Sequence, residues 1–411
     1  MLKRISVRKL TLGMYIKEFC GSWIDHPFWR NAFLLDDPAD LEALLASKIK
    51  EVWIDCDRGL DPAGEEGEVM QAANEADVAA ELARTVSEPL QIVRVSSDAE
   101  FSRAAKIVAK SRQAVNSMFE EARMGQAVNA DSAQRLVEEI SNSVIRNPGA
   151  LISLARLKNA DDYTFMHSVA VCALMIALAR QLGLDEAQCR SAGVAGLLHD
   201  LGKAAIPPEI LNKPGKLTDN EFTLVKTHPR EGHRMLLNGQ GVDANALDVV
   251  LHHHEKTDGS GYPEHLAGHE ISLFAKMGAV CDVYDAVTSN RPYKAGWDPA
   301  EALGKMAEWR GHFDTRVFQA FVKSIGIYPI GSLVLLSCGR LGVVVDQSEH
   351  SLLQPQVKVF FSTRSNARIL PEVIQLGQPG RNLKIVSRED PAKWRIPDLN
   401  EIWSGQPNPT R

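Results

Sequence analysis

The sequence has no apolar run long enough to cross a membrane. Its longest, Val169 to Ala179, is eleven residues, where a spanning helix needs about 20. It has no basic excess either: 46 Lys and Arg against 52 Asp and Glu leave a net charge of −6. That is the wrong sign for a dedicated nucleic-acid binder, so neither membrane nor nucleic acid is an expected partner. No leader pattern is visible, because Lys3, Arg4, Arg8 and Lys9 interrupt the start before any apolar stretch forms. Cysteines are few and scattered, at 20, 56, 172, 189, 281 and 338, with no CxxC pair. Cys172 and Cys281 sit in apolar stretches, where a reduced cysteine acts as a small hydrophobe. Reduced thiols and the missing leader together make a cytoplasmic protein the expectation.

What is present is ordinary globular material: 45% hydrophobic and 24% charged residues over 411 positions. At about 150 residues per domain this length predicts two to three domains, with enough chain to bury a sizeable core unaided by disulfides. Residues 1–60 read as a small mixed α/β domain. Ile5 to Ile16 and Glu51 to Asp55 have a strand-like β-branched and aromatic character, and Leu41, Leu44 and Leu45 lie between them at helical spacing.

Residues 61–100 begin in an acidic linker. Between 57 and 83 there are eight acids against one base, Arg58, and no aromatic residue. Residues 101–147 predict two amphipathic connecting helices, striped by Ala104, Ile107, Val108, Val115, Met118 and Phe119, and by Leu136, Val137, Ile140 and Val144. These stripes could pack on the next domain or pair with a second copy, giving a homodimer. Residues 148–327 are helical in pattern, and 328–411 predict a small β-rich appendage. The expected fold class is therefore multidomain, an all-α domain between a small mixed α/β domain and a small β-rich appendage.

The chemistry concentrates in the helical segment. Of twelve histidines, six are His167, His199, His228, His252, His253 and His254; Asp200 follows His199 directly and Asp282 comes 28 residues after His254. Successive clusters are separated by 32, 29, 25 and 28 residues, about one helix plus one loop, so each helix could deliver one or two ligands to a common centre. Tyr163, His167, Val171, Leu174 and Leu178 share one helix face. Alone, such a histidine is more often a hydrogen-bonded core residue than a ligand. Leu197 and Leu198 precede His199-Asp200, after which Gly202 is expected to stop the helix. Thr218 and Glu221 form a capping box upstream of His228. Asp282 is flanked by Ala279, Val280, Val283 and Tyr284, so its carboxylate must be paired or bound to metal. Five inward-facing His and Asp clusters without cysteine suit iron, manganese or zinc. Seven ligands with one shared aspartate suit a metal pair, an arrangement that serves phosphate ester hydrolysis.

The strings LLHDLGKAAIPPEILNKPGKLT, KTHPREGH, HHEKTDGSGYP and AVCDVYDAVTSNRPYK resemble the HD-GYP subgroup of the HD superfamily of metal-dependent phosphohydrolases, over about residues 150–325. The start, KRISVRKLTLGMYI, is similar to a domain of unknown function often placed before HD-GYP domains. The resemblance implies a bacterial phosphodiesterase for the second messenger cyclic di-GMP. It implies that His167, His199, Asp200 and Asp282 hold one divalent ion and His228, His253 and His254 another, with Asp200 bridging. Iron or manganese is the expected metal. Hydroxide generated between the ions would attack phosphorus, with Asp200 and Lys203 as catalytic residues, giving the linear dinucleotide, and GMP only where the site is open enough to rebind that product. Lys203, Arg291 and Lys294 would meet phosphate, and Gly261, Tyr262 and Pro263 of the GYP loop would contact substrate. The same loop is the expected contact for diguanylate cyclase domains. His252 is expected to lie outside the ligand set, because His-His-Glu selects His253 and His254 ahead of Glu255. Some members bind a third ion through a glutamate that here is Tyr163, so two are expected. Two rival readings remain: a cyclic di-GMP sensor with little turnover, and an HD phosphohydrolase acting on another nucleotide.

Overall fold

In the computed structural model of the chain, the described residues are 2–20, 33–46, 51–60, 95–126, 130–156, 163–213, 215–237, 239, 241–289, 296–348, 351–378 and 383–405. Most of the acidic linker, Arg291 and Lys294 lie outside them. The chain divides into two compact units, Met1–Ser87 and Glu88–Arg411.

The first unit is a four-stranded antiparallel sheet with one helix. Strands β1 (Leu2–Ser6), β2 (Tyr15–Cys20), β3 (Phe33–Leu34) and β4 (Glu51–Asp55) lie in the order β1-β4-β2-β3, and α1 (Pro38–Ala46) joins β3 to β4 in sequence. Val7, Leu10, Met14, Ile16, Leu35, Leu44, Val52 and Ile54 form its core. The strand expected over Ile5 to Ile16 is two strands broken by a 3-10 turn, Val7–Lys9, and by Gly13 at φ +93°. Glycine is suited to that angle because it carries no Cβ, and the break lets Val7, Leu10 and Met14 all turn into one core.

The second unit is helical. Helices α2 (Ser97–Arg123), α3 (Ala130–Arg146), α4 (Pro148–Arg156), α5 (Tyr163–Gln181) and α6 (Glu186–Leu198) lead to a 3-10 segment, Leu201–Ala205. Then follow α7 (Pro208–Leu211), α8 (Asp219–Val225), α9 (His228–Leu237), α10 (Ala244–His252), α11 (Leu273–Thr288), α12 (Pro299–Glu308) and α13 (Thr315–Ile325). The middle of α5, residues 165–179, is buried on every side, as expected for a helix apolar all round. It packs against α2, α3, α4, α6, α11 and α13. The helices expected to be connectors are thus walls of the same unit.

A buried carboxylate anchors them. Glu100 on α2 accepts from Ser143 Oγ at 2.8 Å and from Arg146 Nε and Nη2 at 2.8 and 2.7 Å on α3. Burial would raise the Glu100 carboxyl, but Arg146 and Ser143 outweigh it and hold it below its ordinary value.

The C-terminal segment is a five-stranded antiparallel sheet of β5 (Leu333–Leu336), β6 (Arg340–Asp346), β7 (Gln356–Ser362), β8 (Ala367–Gln375) and β9 (Ile385–Arg388), ordered β8-β7-β6-β5-β9. A short helix, α14 (Leu399–Ser404), is the last element among the described residues. This segment packs on the helices. Trp403 is fully buried, its ring 5.7 Å from that of Phe101. Asp346 accepts from Ser97 N at 3.3 Å, and Arg156 donates to the Ile330 carbonyl at 3.0 Å.

Candidate metal centre

Five helices and one 3-10 segment bring the histidine and aspartate clusters to one point. His167 sits in the first turns of α5, His199 is the C-cap of α6, and Asp200 opens the 3-10 segment. His228 begins α9, and His253 and His254 follow the last turn of α10, whose N-cap Asp243 accepts from Ala246 N at 2.8 Å. Asp282 lies midway along α11. The capping box at Thr218 and Glu221 forms as the sequence predicts.

Gly202 does not stop a helix through a left-handed angle. Its role is proximity: a Cβ there would lie 1.9 Å from the His228 carbonyl oxygen. Only glycine lets the 3-10 segment press against α9 so that Asp200 meets His228.

The ligand atoms form two groups, Asp200 with His228, His253 and His254, and His167 with His199 and Asp282, each set within 4.8 Å of one another. Asp200 belongs to both by distance. Its Oδ2 is 3.3 Å from His167 Nε2 and 3.4 Å from His199 Nε2. Its Oδ1 is 3.3 Å from His228 Nε2 and 3.8 Å from His253 Nε2. Asp282 divides similarly, with Oδ1 3.0 Å from His167 Nε2 and Oδ2 3.8 Å from His254 Nδ1. The Lys203 ammonium pairs with Oδ2 of Asp200. His252 belongs to neither group; its Nδ1 bonds Asp248 Oδ1 at 2.8 Å.

The donor set fits divalent cations on its own evidence. The Nδ1 of His199, His228 and His253 lies 2.7 to 3.0 Å from the carbonyls of Gly196, Val225 and Val249. A carbonyl only accepts, so Nδ1 carries the proton and Nε2 offers a lone pair. Yet His228 Nε2 is 3.3 Å from His253 Nε2, lone pair facing lone pair. Asp200 Oδ1 is buried with no hydrogen-bond partner although His228 Nε2 is near. A cation between these atoms satisfies all of them, as no proton arrangement of neutral imidazoles does.

Charge is arranged to match. Burial would lower the His167 imidazole, but Asp200, Asp282 and Asp285 hold it up at about 10. Burial likewise opposes a raised His199, which Asp200 and Asp282 overcome. Burial would raise the two carboxyls. Lys203, His199 and His167 nonetheless keep Asp200, and His167 and His199 keep Asp282, well below the usual carboxylate range. Burial and the neighbouring imidazoles of His254, His199 and His228 push His253 down. Burial, with Asp282 opposing, brings His254 to about 3. The centre thus presents two carboxylates and, in His253 and His254, neutral imidazoles, while the same carboxylates favour protons on His167 and His199 that an entering cation must displace.

The GYP loop folds onto this centre. Gly259 takes φ +78°. Gly261 has ordinary angles but no room, since a Cβ would lie 2.4 Å from Lys256 N. Tyr262 stacks on His254 with centroids 4.7 Å apart, and the Pro263 carbonyl accepts from Arg230 at 3.3 Å. Asp258 and Ser260 are exposed at the loop tip. Tyr163 opens α5, and its side chain lies outside the description, as Arg291 and Lys294 do entirely.

One residue, Asp285, and the role of another, Glu255, escaped the sequence reading. Asp285, one turn after Asp282 on α11, lies 2.6 Å from His167 Nδ1 through its Oδ2. A carboxylate there fixes the imidazole's tautomer and aim. The signal was an Asp-x-x-Asp spacing on an otherwise apolar helix. Glu255 is buried, its Oε1 accepting from Glu264 N at 2.7 Å and so closing the GYP loop.

Comparison with known proteins agrees with this geometry. Residues 140–317 match the HD domain family, and residues 2–133 match a domain of unknown function (DUF3391). A cyclic di-GMP phosphodiesterase of Pseudomonas aeruginosa is 56% identical over 98% of this chain and 96% of its own length. A cyclic di-GMP phosphodiesterase response regulator of Xanthomonas campestris is 40% identical over 46% of this chain and 51% of its own. A 3'3'-cGAMP-specific phosphodiesterase of Vibrio cholerae is 36% identical over 40% of this chain and 38% of its own. No helix among the described residues is long and apolar enough to cross a membrane. With its HD ligand set, its GYP loop and a relative matched along nearly its whole length, the chain belongs to the HD-GYP family of metal-dependent phosphodiesterases.

Proposed function

We propose that the chain hydrolyses cyclic di-GMP, first to the linear dinucleotide and then, when that product rebinds, to GMP. The observation that carries the chemistry is the division of Asp200, one carboxylate oxygen toward each ligand group. The choice of substrate rests on the Pseudomonas relative's name and its 56% identity across both domains.

His167, His199, Asp282 and Asp200 would hold one divalent ion, and His228, His253, His254 and Asp200 the other. Nitrogen and oxygen donors without sulfur suit iron or manganese. Such a pair, when bound, supplies Lewis acidity toward phosphoryl oxygen and acidifies a water so that it is nucleophilic near neutral pH. The protein's own residues do the rest. Asp200 keeps the two groups at a fixed separation, and Asp285 aims His167. Lys203, three residues after Asp200 and paired with it, places an ammonium where charge grows on the phosphoryl oxygens. Arg291 and Lys294 would hold substrate phosphate, where arginine offers a two-pronged fork. The exposed tip at Asp258 and Ser260 is the part of the GYP loop open to a diguanylate cyclase domain.

The test is metal analysis of anaerobically purified protein with turnover measured on the same sample. Cyclic di-GMP, 3'3'-cGAMP, ppGpp and bis(p-nitrophenyl) phosphate form the panel. Two iron or manganese ions per chain and preference for cyclic di-GMP are expected. Tight binding of cyclic di-GMP with negligible turnover in the metal-replete sample would instead favour a sensor.

A further inference from the structure

Next to the centre, α8 carries an arrangement that the reading above leaves unused. Phe222 is 47% exposed, an apolar ring on a surface where a polar residue would be better solvated. Lys226, the C-cap of α8, sits over it with Nζ 4.7 Å from the ring centroid. The same Nζ is 5.4 Å from the centroid of Tyr262, which stacks on His254. A row therefore leads outward from a metal-centre histidine: imidazole, phenol ring, ammonium, phenyl ring.

The row is held in place. His228 Nδ1 donates to Val225 O at 2.7 Å, tying the end of α8 to the centre. Lys213 bonds both oxygens of Glu221 at 2.7 and 2.6 Å, fixing its start. A Phe-Lys pair at i,i+4 would by itself lend a short helix a few tenths of a kcal/mol. That local role explains neither the reach of Lys226 to Tyr262 nor the exposed face of Phe222. Alternating aromatic faces and cations suit a nucleotide, whose bases stack on rings and whose phosphates meet ammonium groups.

We propose that Phe222 and Lys226 form an outer subsite for the cyclic dinucleotide, Phe222 stacking one guanine base and Lys226 meeting the phosphate that is not being cleaved. This rests on the dinucleotide reading above. One base-ring stack corresponds to roughly 5- to 150-fold in affinity.

The experiment compares F222A, F222W and K226Q in the metal-loaded full chain, on cyclic di-GMP and on bis(p-nitrophenyl) phosphate, with thermal melting of each. F222A should raise KM for cyclic di-GMP by at least about fivefold while kcat falls less. Its loss in kcat/KM on the small diester, which has no guanine, should be smaller by a similar factor. F222W should restore KM, and K226Q should raise it in the same substrate-selective way. Equal losses on both substrates, a loss that follows a lowered melting temperature, or an unchanged KM in F222A would overturn the subsite. Wild-type protein that cleaves the small diester but not cyclic di-GMP would overturn the dinucleotide reading itself, and the subsite with it.

Discussion

Asp285→Asn is the most informative single change. Asp285 is buried at 2% exposure, and its Oδ2 accepts from His167 Nδ1 at 2.6 Å. Its other oxygen accepts from Ser289 Oγ at 3.3 Å. Asparagine keeps the volume, so α11 should still pack on α5. It replaces a charge-assisted hydrogen bond, worth about 1.5–3 kcal/mol, with a neutral one worth about 0.5–1.5. It also lowers the basicity of Nε2, which is the metal-facing atom. Loss of such an outer partner typically costs 10- to 100-fold in metal affinity, or about 1.4–2.7 kcal/mol. The ion proposed for His167, His199 and Asp282 should weaken selectively. Chelator competition followed by elemental analysis should therefore show one site released well before the other, with the melting temperature of the fully loaded protein close to wild type. If D285N keeps both ions through the same competition and retains its kcat/KM, Asp285 is only a buried polar residue and the orientation argument fails.

Other outcomes follow from the same geometry. Asp200→Ala should cost both ions and all turnover, because each carboxylate oxygen serves one group, whereas His252→Ala should retain both; a lost ion in H252A shifts the histidine register by one. Gly202→Ala should destabilise the protein by several kcal/mol and lower its metal content, since its methyl would lie 1.9 Å from a backbone oxygen. A stable, fully loaded G202A would show that the segment can shift at little cost. Glu100→Gln should cost up to about 3 kcal/mol, the lower end for breaking a buried pair because Arg146 is 28% exposed. Its pH signature has a definite sign. The folded carboxyl is held below 4.5, so its stabilisation is complete above that value and is lost as pH falls through the folded pKa. Urea midpoints from pH 7 down to 3 should fall less steeply in E100Q than in wild type, and parallel slopes would remove Glu100 from the acid response.

The metal chemistry was legible because ligand identity is written in residue types and their spacing. Histidines and aspartates at intervals of one helix plus one loop, a capping box ahead of His228, and a carboxylate on an apolar helix each have a local cause that survives without coordinates. The β-rich character of the C-terminal segment was legible in β5 to β7. It was not in β8, a sheet edge whose residues are mostly exposed, because an edge with little burial imposes no alternation.

Other features depended on distant chain. The break between β1 and β2 arises from the demand of one small core on Val7, Leu10 and Met14. The burial of α5 on all sides depends on six helices that close around it, α2 and α3 among them, so the apparent one-sided stripe marked only the face that carries His167. Gly202 was misread as a helix stop because the carbonyl that excludes a side chain belongs to His228, 26 residues on. The contact of Asp285 with His167, and which oxygen of the bridging Asp200 faces which group, were invisible for the same reason. A sequence specifies which atoms can bind a cation. Which oxygen faces which nitrogen, and which carboxylate aims an imidazole, is decided only when helices far apart in the chain are packed to within a hydrogen bond's length.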